Sequence, residues 1–173
     1  MVLWLTGLSG SGKTALADLL HKYLSGKGLS VDHLDGDMLR SLFPNTGFSK
    51  EERNRHVQRA GELAAKLEKD GKIVIASLIS PYRDSRLYVR SICSQFVEIY
   101  VKASLQTCEA RDPKELYKKA RNGEIKNFTG IDDPYEEPEQ PEIIIDTNHQ
   151  TLEQSFDTLK KFVERRLYQS EKR

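Results

Sequence analysis

Apolar residues in this chain come in short unbroken runs separated by amphipathic stretches. Val2-Leu3-Trp4-Leu5-Thr6, Val31 to Leu34, Ile73-Val74-Ile75-Ala76, Phe96 to Val101 and Ile143-Ile144-Ile145 each read as a strand. Runs without polar alternation suit parallel strands covered on both faces. Helical spacings fill the intervals. Leu16, Leu19, Leu20, Tyr23 and Leu24 mark a first helix from about Lys13 to Ser25, stopped by Gly26 and Gly28. Met38 to Phe43 reads as a short helical turn and Pro44 to Gly47 as a loop. Val57, Ala60, Leu63, Ala64 and Leu67 mark a long helix, opened by a Ser49/Glu52 capping box and ended by Gly71. Tyr82 to Ser94 reads as a helix whose Arg83, Arg86 and Arg90 are expected to be mostly solvated. Ser104 caps another that reaches Arg111, where Asp112-Pro113 breaks it. Thr151 and Gln154 form a second capping box before the last helix, with Leu152, Phe156, Leu159, Phe162, Val163 and Leu167 on its apolar face. The tail from Ser170 to Arg173 is expected to fray. Strands alternate with helices. The expected fold is therefore α/β: one domain over residues 1–173, with a mainly parallel sheet of about five strands and helices on both faces.

The first strand–helix junction carries chemistry. Gly7-Leu8-Ser9-Gly10-Ser11-Gly12-Lys13-Thr14 fits G-x-x-x-x-G-K-[ST], the phosphate-binding P-loop, and it stands between a predicted strand and a predicted helix as that motif requires. The glycines allow the backbone of Gly7, Ser9, Gly10, Ser11 and Gly12 to wrap an anion with its N–H groups. Lys13 adds a charge that reaches the β- and γ-phosphates, and the Thr14 hydroxyl is a candidate Mg²⁺ ligand. Ligands of open α/β sheets collect at the C-terminal ends of strands. That rule brings Asp35 and Asp37, after the second strand, and Ile79 and Ser80, after the third, towards the same place. Arg53, Arg55, His56 and Arg59 crowd the first turns of the long helix, where basic groups oppose the helix dipole. Some of them should therefore have anionic partners, while Arg55 reads as solvated. The insert at about 112–135 is polar and basic, with Lys114, Lys118, Lys119, Arg121 and Lys126. It reads as too long and too polar for core. Its use is either a lid that closes over nucleotides and excludes water or a solvated helix and loop.

Composition narrows the classes. The chain has 173 residues, 38% of them apolar and 31% charged, with a formal net charge of +1. That balance does not support a broad nucleic-acid or membrane surface. No apolar run is long enough to span a bilayer, and the N-terminus does not read as a signal peptide. Cys93 and Cys108 lie far apart and without metal-ligand spacing, which fits buried thiols of a cytosolic protein. A P-loop, two aspartates at a strand end, arginines and a basic lid are what phosphoryl transfer needs, with a carboxylate to take the acceptor proton. The small size and the absence of an N-K-x-D segment favour a small-molecule kinase over a motor or a GTPase.

Three stretches resemble the adenylylsulfate kinase (APS kinase) family. They are Leu34-Asp35-Gly36-Asp37 with Arg40, Ile79-Ser80-Pro81, and the run from Arg111-Asp112-Pro113-Lys114 through Lys126-Asn127-Phe128-Thr129-Gly130-Ile131-Asp132. The last is the most specific, and the likeness extends from Leu3 into the last helix. The resemblance implies a P-loop kinase fold, a cytoplasmic homodimer and a role in sulfate assimilation. The reaction it implies is transfer of the γ-phosphate of ATP, with Mg²⁺, to the 3′-hydroxyl of adenosine 5′-phosphosulfate (APS), giving PAPS and ADP. Two alternatives remain at this stage: another small-molecule or nucleotide kinase, and a non-catalytic kinase-like domain that senses PAPS. The lid signature argues against the first. The joint presence of Lys13, Thr14 and Asp37 argues against the second.

By the same resemblance, Asp37 is the general base and Asp35 helps to hold Mg²⁺ through water, with the two roles exchangeable. Arg40 and Arg53 resemble the arginines that grip the phosphosulfate, and Phe48 and Phe128 the rings that sandwich its adenine. Lys126 matches the lid lysine, and Arg111 is expected to stack on the ATP adenine. Ile79 and Ser80 match substrate-loop positions. Ser80 corresponds to a serine phosphorylated in some relatives, and beside Pro81 it equally suits a strand-end hydrogen bond. His56 stands where many members have an asparagine that contacts the substrate, and Met38 where asparagine is common. The chain begins at the first strand, so contacts made by the N-terminal arm of many relatives are expected to be absent. Both a free enzyme and a kinase unit of a larger polypeptide fit.

Overall fold

The structure is a computed structural model that describes residues 1–43 and 47–170. Pro44, Asn45 and Thr46 of the expected loop, and residues 171–173 of the expected frayed tail, lie outside the described residues. The strands are β1 (Val2–Thr6), β2 (Val31–Asp35), β3 (Ile73–Ser77), β4 (Phe96–Lys102) and β5 (Ile143–Asp146). They form one sheet in the order β2-β3-β1-β4-β5, and every pairing is parallel. The helices are α1 (Lys13–Gly26), α2 (Gly36–Leu42), α3 (Lys50–Lys69), α4 (Arg83–Ile92), α5 (Leu105–Arg111), α6 (Leu116–Arg121) and α7 (Leu152–Ser170).

Side chains along a strand alternate between faces, and here each face has its own core. Leu3 and Leu5 of β1 pack with Leu16, Leu20, Leu159 and Val163, under α1 and α7. Val2 and Trp4 pack with Val57, Ala60, Ala64 and Val89, under α3 and α4. β1 is buried throughout, which accounts for its unbroken apolar sequence. Both expected capping boxes are present: Glu52 N–H donates to Ser49 Oγ (3.2 Å) and Gln154 N–H to Thr151 Oγ1 (3.2 Å). Because all strands run the same way, their C-terminal ends share one edge, and every candidate strand-end residue lies there.

Two expectations need correction. Arg86 and Arg90 are not mostly solvated. Arg86 is 3% exposed and donates from Nε to Glu98 (2.8 Å), while Arg90 pairs with Glu142 (2.6 Å). Their carboxylate partners arrive from β4 and the entry to β5, so a helix-only reading sees an amphipathic surface where the tertiary structure builds one buried and one partly buried ion pair. The insert, judged too polar for core, has a small core of its own. Cys108, Tyr117, Ala120 and Phe128 are buried together, with Leu8, Leu105, Leu116, Ile125 and Ile131 packed around them. Sparse apolar positions in a polar stretch suffice because they converge on the P-loop and α5.

Candidate active site

The P-loop follows β1 and delivers the chain into α1 at Gly12, whose φ of 100° is left-handed and favours glycine. A side chain at Gly7 would place its Cβ 2.4 Å from the Val101 carbonyl of β4, so the loop can lie this close to the sheet only with glycine there. The protein claims the loop's carbonyls one by one. Lys13 Nζ donates to Gly7 (2.9 Å) and Leu8 (2.8 Å), and Tyr117 OH donates to Ser9 (2.8 Å). Arg111 donates to Gly10 (3.2 Å) and Thr147 Oγ1 to Ser11 (2.9 Å). With these acceptors engaged and the Ser11 N–H donating to the Leu8 carbonyl (3.1 Å), the loop's remaining N–H groups suit phosphate oxygens. Lys13 is 8% exposed, and burial pulls its pKa down to about 8. Bound phosphate charge would oppose that shift.

Asp35 closes the end of β2 beside this loop. Its carboxylate accepts from Thr14 Oγ1 (3.1 Å), Ser77 Oγ (3.1 Å) and the Asp37 N–H (3.0 Å). Burial alone would raise its pKa, but these hydrogen bonds outweigh burial and hold it below the usual carboxylate value. Asp37 lies in the first turn of α2, exposed, and its carboxylate pairs with Lys114 of the insert. The two aspartates thus differ: Asp35 is locked in place and Asp37 is open to the cleft.

The remaining expected residues divide into two groups. Arg40 sits over the Phe48 ring, 4.6 Å from its centroid, and Phe48 is 53% exposed. Arg53, 6% exposed, reaches the insert, where it donates to Thr129 Oγ1 (2.5 Å), Asp133 (2.9 Å) and the Asn127 carbonyl. Phe128 is 8% exposed and packs edge-on against Tyr117, with centroids 5.0 Å apart. His56 is 6% exposed with no partner for Nδ1, and burial, aided by Arg40 and Arg59, lowers its pKa to about 4. Lys126 is exposed on the insert, and Arg55 is exposed on α3, as expected. Arg111 ties Gly10 to the Thr147 carbonyl (2.6 Å). Ser80 is 2% exposed, with its hydroxyl enclosed between Trp4 and Thr6, while the Ile79 carbonyl accepts from Thr6.

Sequence reasoning gave no role to Lys114, although it stands inside the Arg111-Asp112-Pro113-Lys114 run, and it missed Thr147, Tyr117 and Ser77. Lys114 was legible as a cation at the root of a basic insert. The other three act through contacts from distant elements, which no local pattern reports.

A phosphate loop at the end of a central parallel strand, a threonine hydroxyl against a strand-end carboxylate and a second, open carboxylate define a P-loop phosphotransferase. The comparisons narrow the class. Residues 1–146 match the family described as adenylylsulphate kinase. The chain is 51% identical over 170 residues to an adenylyl-sulfate kinase of Oceanobacillus iheyensis, covering 96% of this chain and 85% of that one. It is 50% identical over 167 residues to one of Staphylococcus carnosus, covering 95% and 84%. Its fold superposes with a TM-score of 0.90 on a Mycobacterium tuberculosis APS kinase in complex with AMPPNP and APS, at 38% identity, covering 94% of this chain and 96% of that one. The chain belongs to the adenylylsulphate kinase family.

Proposed function

We infer that this chain performs the reaction of its family, transferring the γ-phosphate of MgATP to the 3′-hydroxyl of APS to give PAPS and ADP, a step of sulfate assimilation. The observation that carries the reading is the Thr14–Asp35 contact (3.1 Å), which joins the P-loop to the strand end that also bears Asp37. The loop N–H groups and Lys13 hold the nucleotide phosphates and stabilise charge on the transferred group. Asp37, open to the cleft, accepts the proton of the acceptor hydroxyl, and Asp35, whose oxygens are already engaged, serves the metal side. Lys114, paired with Asp37, holds it in place before the acceptor arrives.

A Mg²⁺ ion suits this site. Mg²⁺ takes hard oxygen ligands, needs few from protein and completes its shell with water and phosphate. The Thr14 hydroxyl and the Asp35 carboxylate are such donors, while the described residues contain no cluster of three or more His, Cys, Asp or Glu that would form a dedicated cage. When bound, the ion would neutralise charge on the β- and γ-phosphates.

Arg40 and Arg53 supply positive charge for the phosphosulfate, while Phe48 and Phe128 supply faces or edges for its adenine. Arg53 and Phe128 belong to the lid assembly, so substrate affinity and lid position are linked through them. His56, neutral at working pH, donates or accepts one hydrogen bond. Arg111 orders the P-loop from the side on which the ATP base enters. The cytoplasm supplies ATP, and the free thiols Cys93 and Cys108 suit its reducing conditions. The family resemblance supports a homodimer, which sedimentation equilibrium tests; a monomer at all micromolar concentrations overturns that assembly.

The deciding experiment is a steady-state assay with MgATP and APS, following ADP and PAPS by chromatography, with AMP in place of APS as a control. PAPS formed only with APS is expected. ADP formed with AMP but not with APS would make this a nucleoside monophosphate kinase. PAPS binding without turnover would make it a sensor.

A further inference from the structure

Behind the Ile79-Ser80 loop, Trp4, Ser80, Thr6 and Tyr135 form a hydrogen-bonded set. Trp4 Nε1 donates to Ser80 Oγ (3.1 Å), Ser80 Oγ to Thr6 Oγ1 (2.9 Å), and Thr6 Oγ1 to the Ile79 carbonyl (2.8 Å). The Tyr135 hydroxyl lies 2.9 Å from the same Thr6 Oγ1. An indole N–H only donates and a carbonyl oxygen only accepts, so Trp4 donates to Ser80 and the Ile79 carbonyl accepts from Thr6, while Ser80 Oγ also lies 3.4 Å from the Leu78 carbonyl. The Thr6 and Tyr135 hydroxyls are hydrogen-bonded to each other, and either can donate. Trp4 and Thr6 are fully buried, so water does not compete.

This set holds an unusual backbone. Ser80 has φ of 41°, in the left-handed region that a serine rarely adopts. Its own carbonyl accepts from Arg86 Nη1 (2.6 Å). Tyr135 is itself held firmly. Its ring stacks on Tyr100, with centroids 6.1 Å apart, and the Arg86 guanidinium lies 5.8 Å from its centroid. The next residue continues the tie, with the Glu136 N–H donating to the Pro81 carbonyl (2.8 Å). The segment that returns from the insert to the sheet is therefore fastened to loop 79–81 by side chain and backbone together.

We propose that Tyr135 is a positioning residue for the acceptor substrate: its hydroxyl holds Thr6, and through Thr6 the strained Ile79-Ser80 loop, so that the lid's return segment and the acceptor loop keep one relative placement. This rests on the reading that Ile79 and Ser80 line the APS side of the site. The ATP side is anchored independently, because the P-loop carbonyls are held by Lys13, Tyr117, Arg111 and Thr147. Loss of the Tyr135 hydroxyl should therefore separate the two substrates.

The test is Tyr135→Phe, which keeps the ring stack and removes only the hydroxyl. KM for APS should rise about tenfold, the scale of one buried hydrogen bond, while KM for MgATP stays within about twofold. Trp4 is the sole tryptophan, so its emission reports the same set, and its response to APS should shrink in the variant. Tyr100→Phe, which removes the hydroxyl of the other ring in the stack, should leave both KM values near wild type. If Tyr135→Phe does not fold, Thr6→Val should reproduce the APS-specific rise and Thr6→Ser, which keeps the hydroxyl, should reverse it. An unchanged KM for APS, or a parallel rise for both substrates, overturns the proposal. A wild-type enzyme inert toward APS would instead overturn the functional reading beneath it.

Discussion

Three single residues carry different physical burdens in the cleft. Lys13 is a buried ammonium aimed at the loop, and Lys13→Ala strips a charge from the transferring group. A fall in kcat of at least about a hundredfold is expected from steady-state rates, and near-normal kcat would refute its role. Asp37 acts on the proton rather than on affinity. Asp37→Asn should lower kcat more than it raises KM for APS. A change in KM alone would make Asp37 a binding group and Asp35 the better base. His56 matters to stability as well as to binding. Its folded pKa of about 4 lies below the ordinary value of 6.5, so between these values the unfolded chain binds the proton more readily. Stability should therefore fall as pH drops from about 6.5 to about 4, and His56→Gln should flatten that part of the acid limb in denaturant titrations. Superimposable wild-type and variant curves would mean that the buried imidazole does not resist protonation.

At the scale of elements, α3 and α4 are brought together by a missing side chain. A Cβ on Gly61 would lie 2.4 Å from Val89 Cγ2, inside the core beneath these helices. Gly61→Ala gains helix propensity but must push α4 outward. It should cost about 1–3 kcal/mol net, read as a lower thermal midpoint with KM for both substrates unaltered. An unchanged midpoint would show that the helices have slack. The insert behaves as a second structural element with its own core, in which Phe128 packs on Tyr117 while Tyr117 also holds the Ser9 carbonyl. Packing of the lid and order in the P-loop are thus coupled through one tyrosine. Phe128→Ala should weaken nucleotide binding by about 1–3 kcal/mol if the ring stacks a base, as measured by equilibrium titration with APS. Unchanged affinity with a lower thermal midpoint would assign the ring to lid packing.

At the scale of the molecule, five parallel strands bring residues from distant parts of the chain to one edge. A chelator should abolish turnover while leaving the thermal midpoint of the ligand-free protein unchanged, since the described residues hold no cage that a cation would stabilise. A midpoint lowered by chelation would point to a resident structural ion. Much of this was legible in advance. Local chemistry determined the strands, the P-loop, both capping boxes and the helix that follows the loop, because each depends on neighbours within a few residues. The parallel order of strands followed from their alternation with helices, and that order alone brought Asp35, Asp37 and Ser80 to the P-loop side. Tertiary structure decided the rest. It made Arg86 and Arg90 partners of Glu98 and Glu142, attached Arg53 to the insert, set Lys114 on Asp37 and enclosed the Ser80 hydroxyl between Trp4 and Thr6. Each of these pairings joins residues far apart along the chain or held by different elements. A sequence states which groups need partners, but only packing in three dimensions determines which partner each one meets.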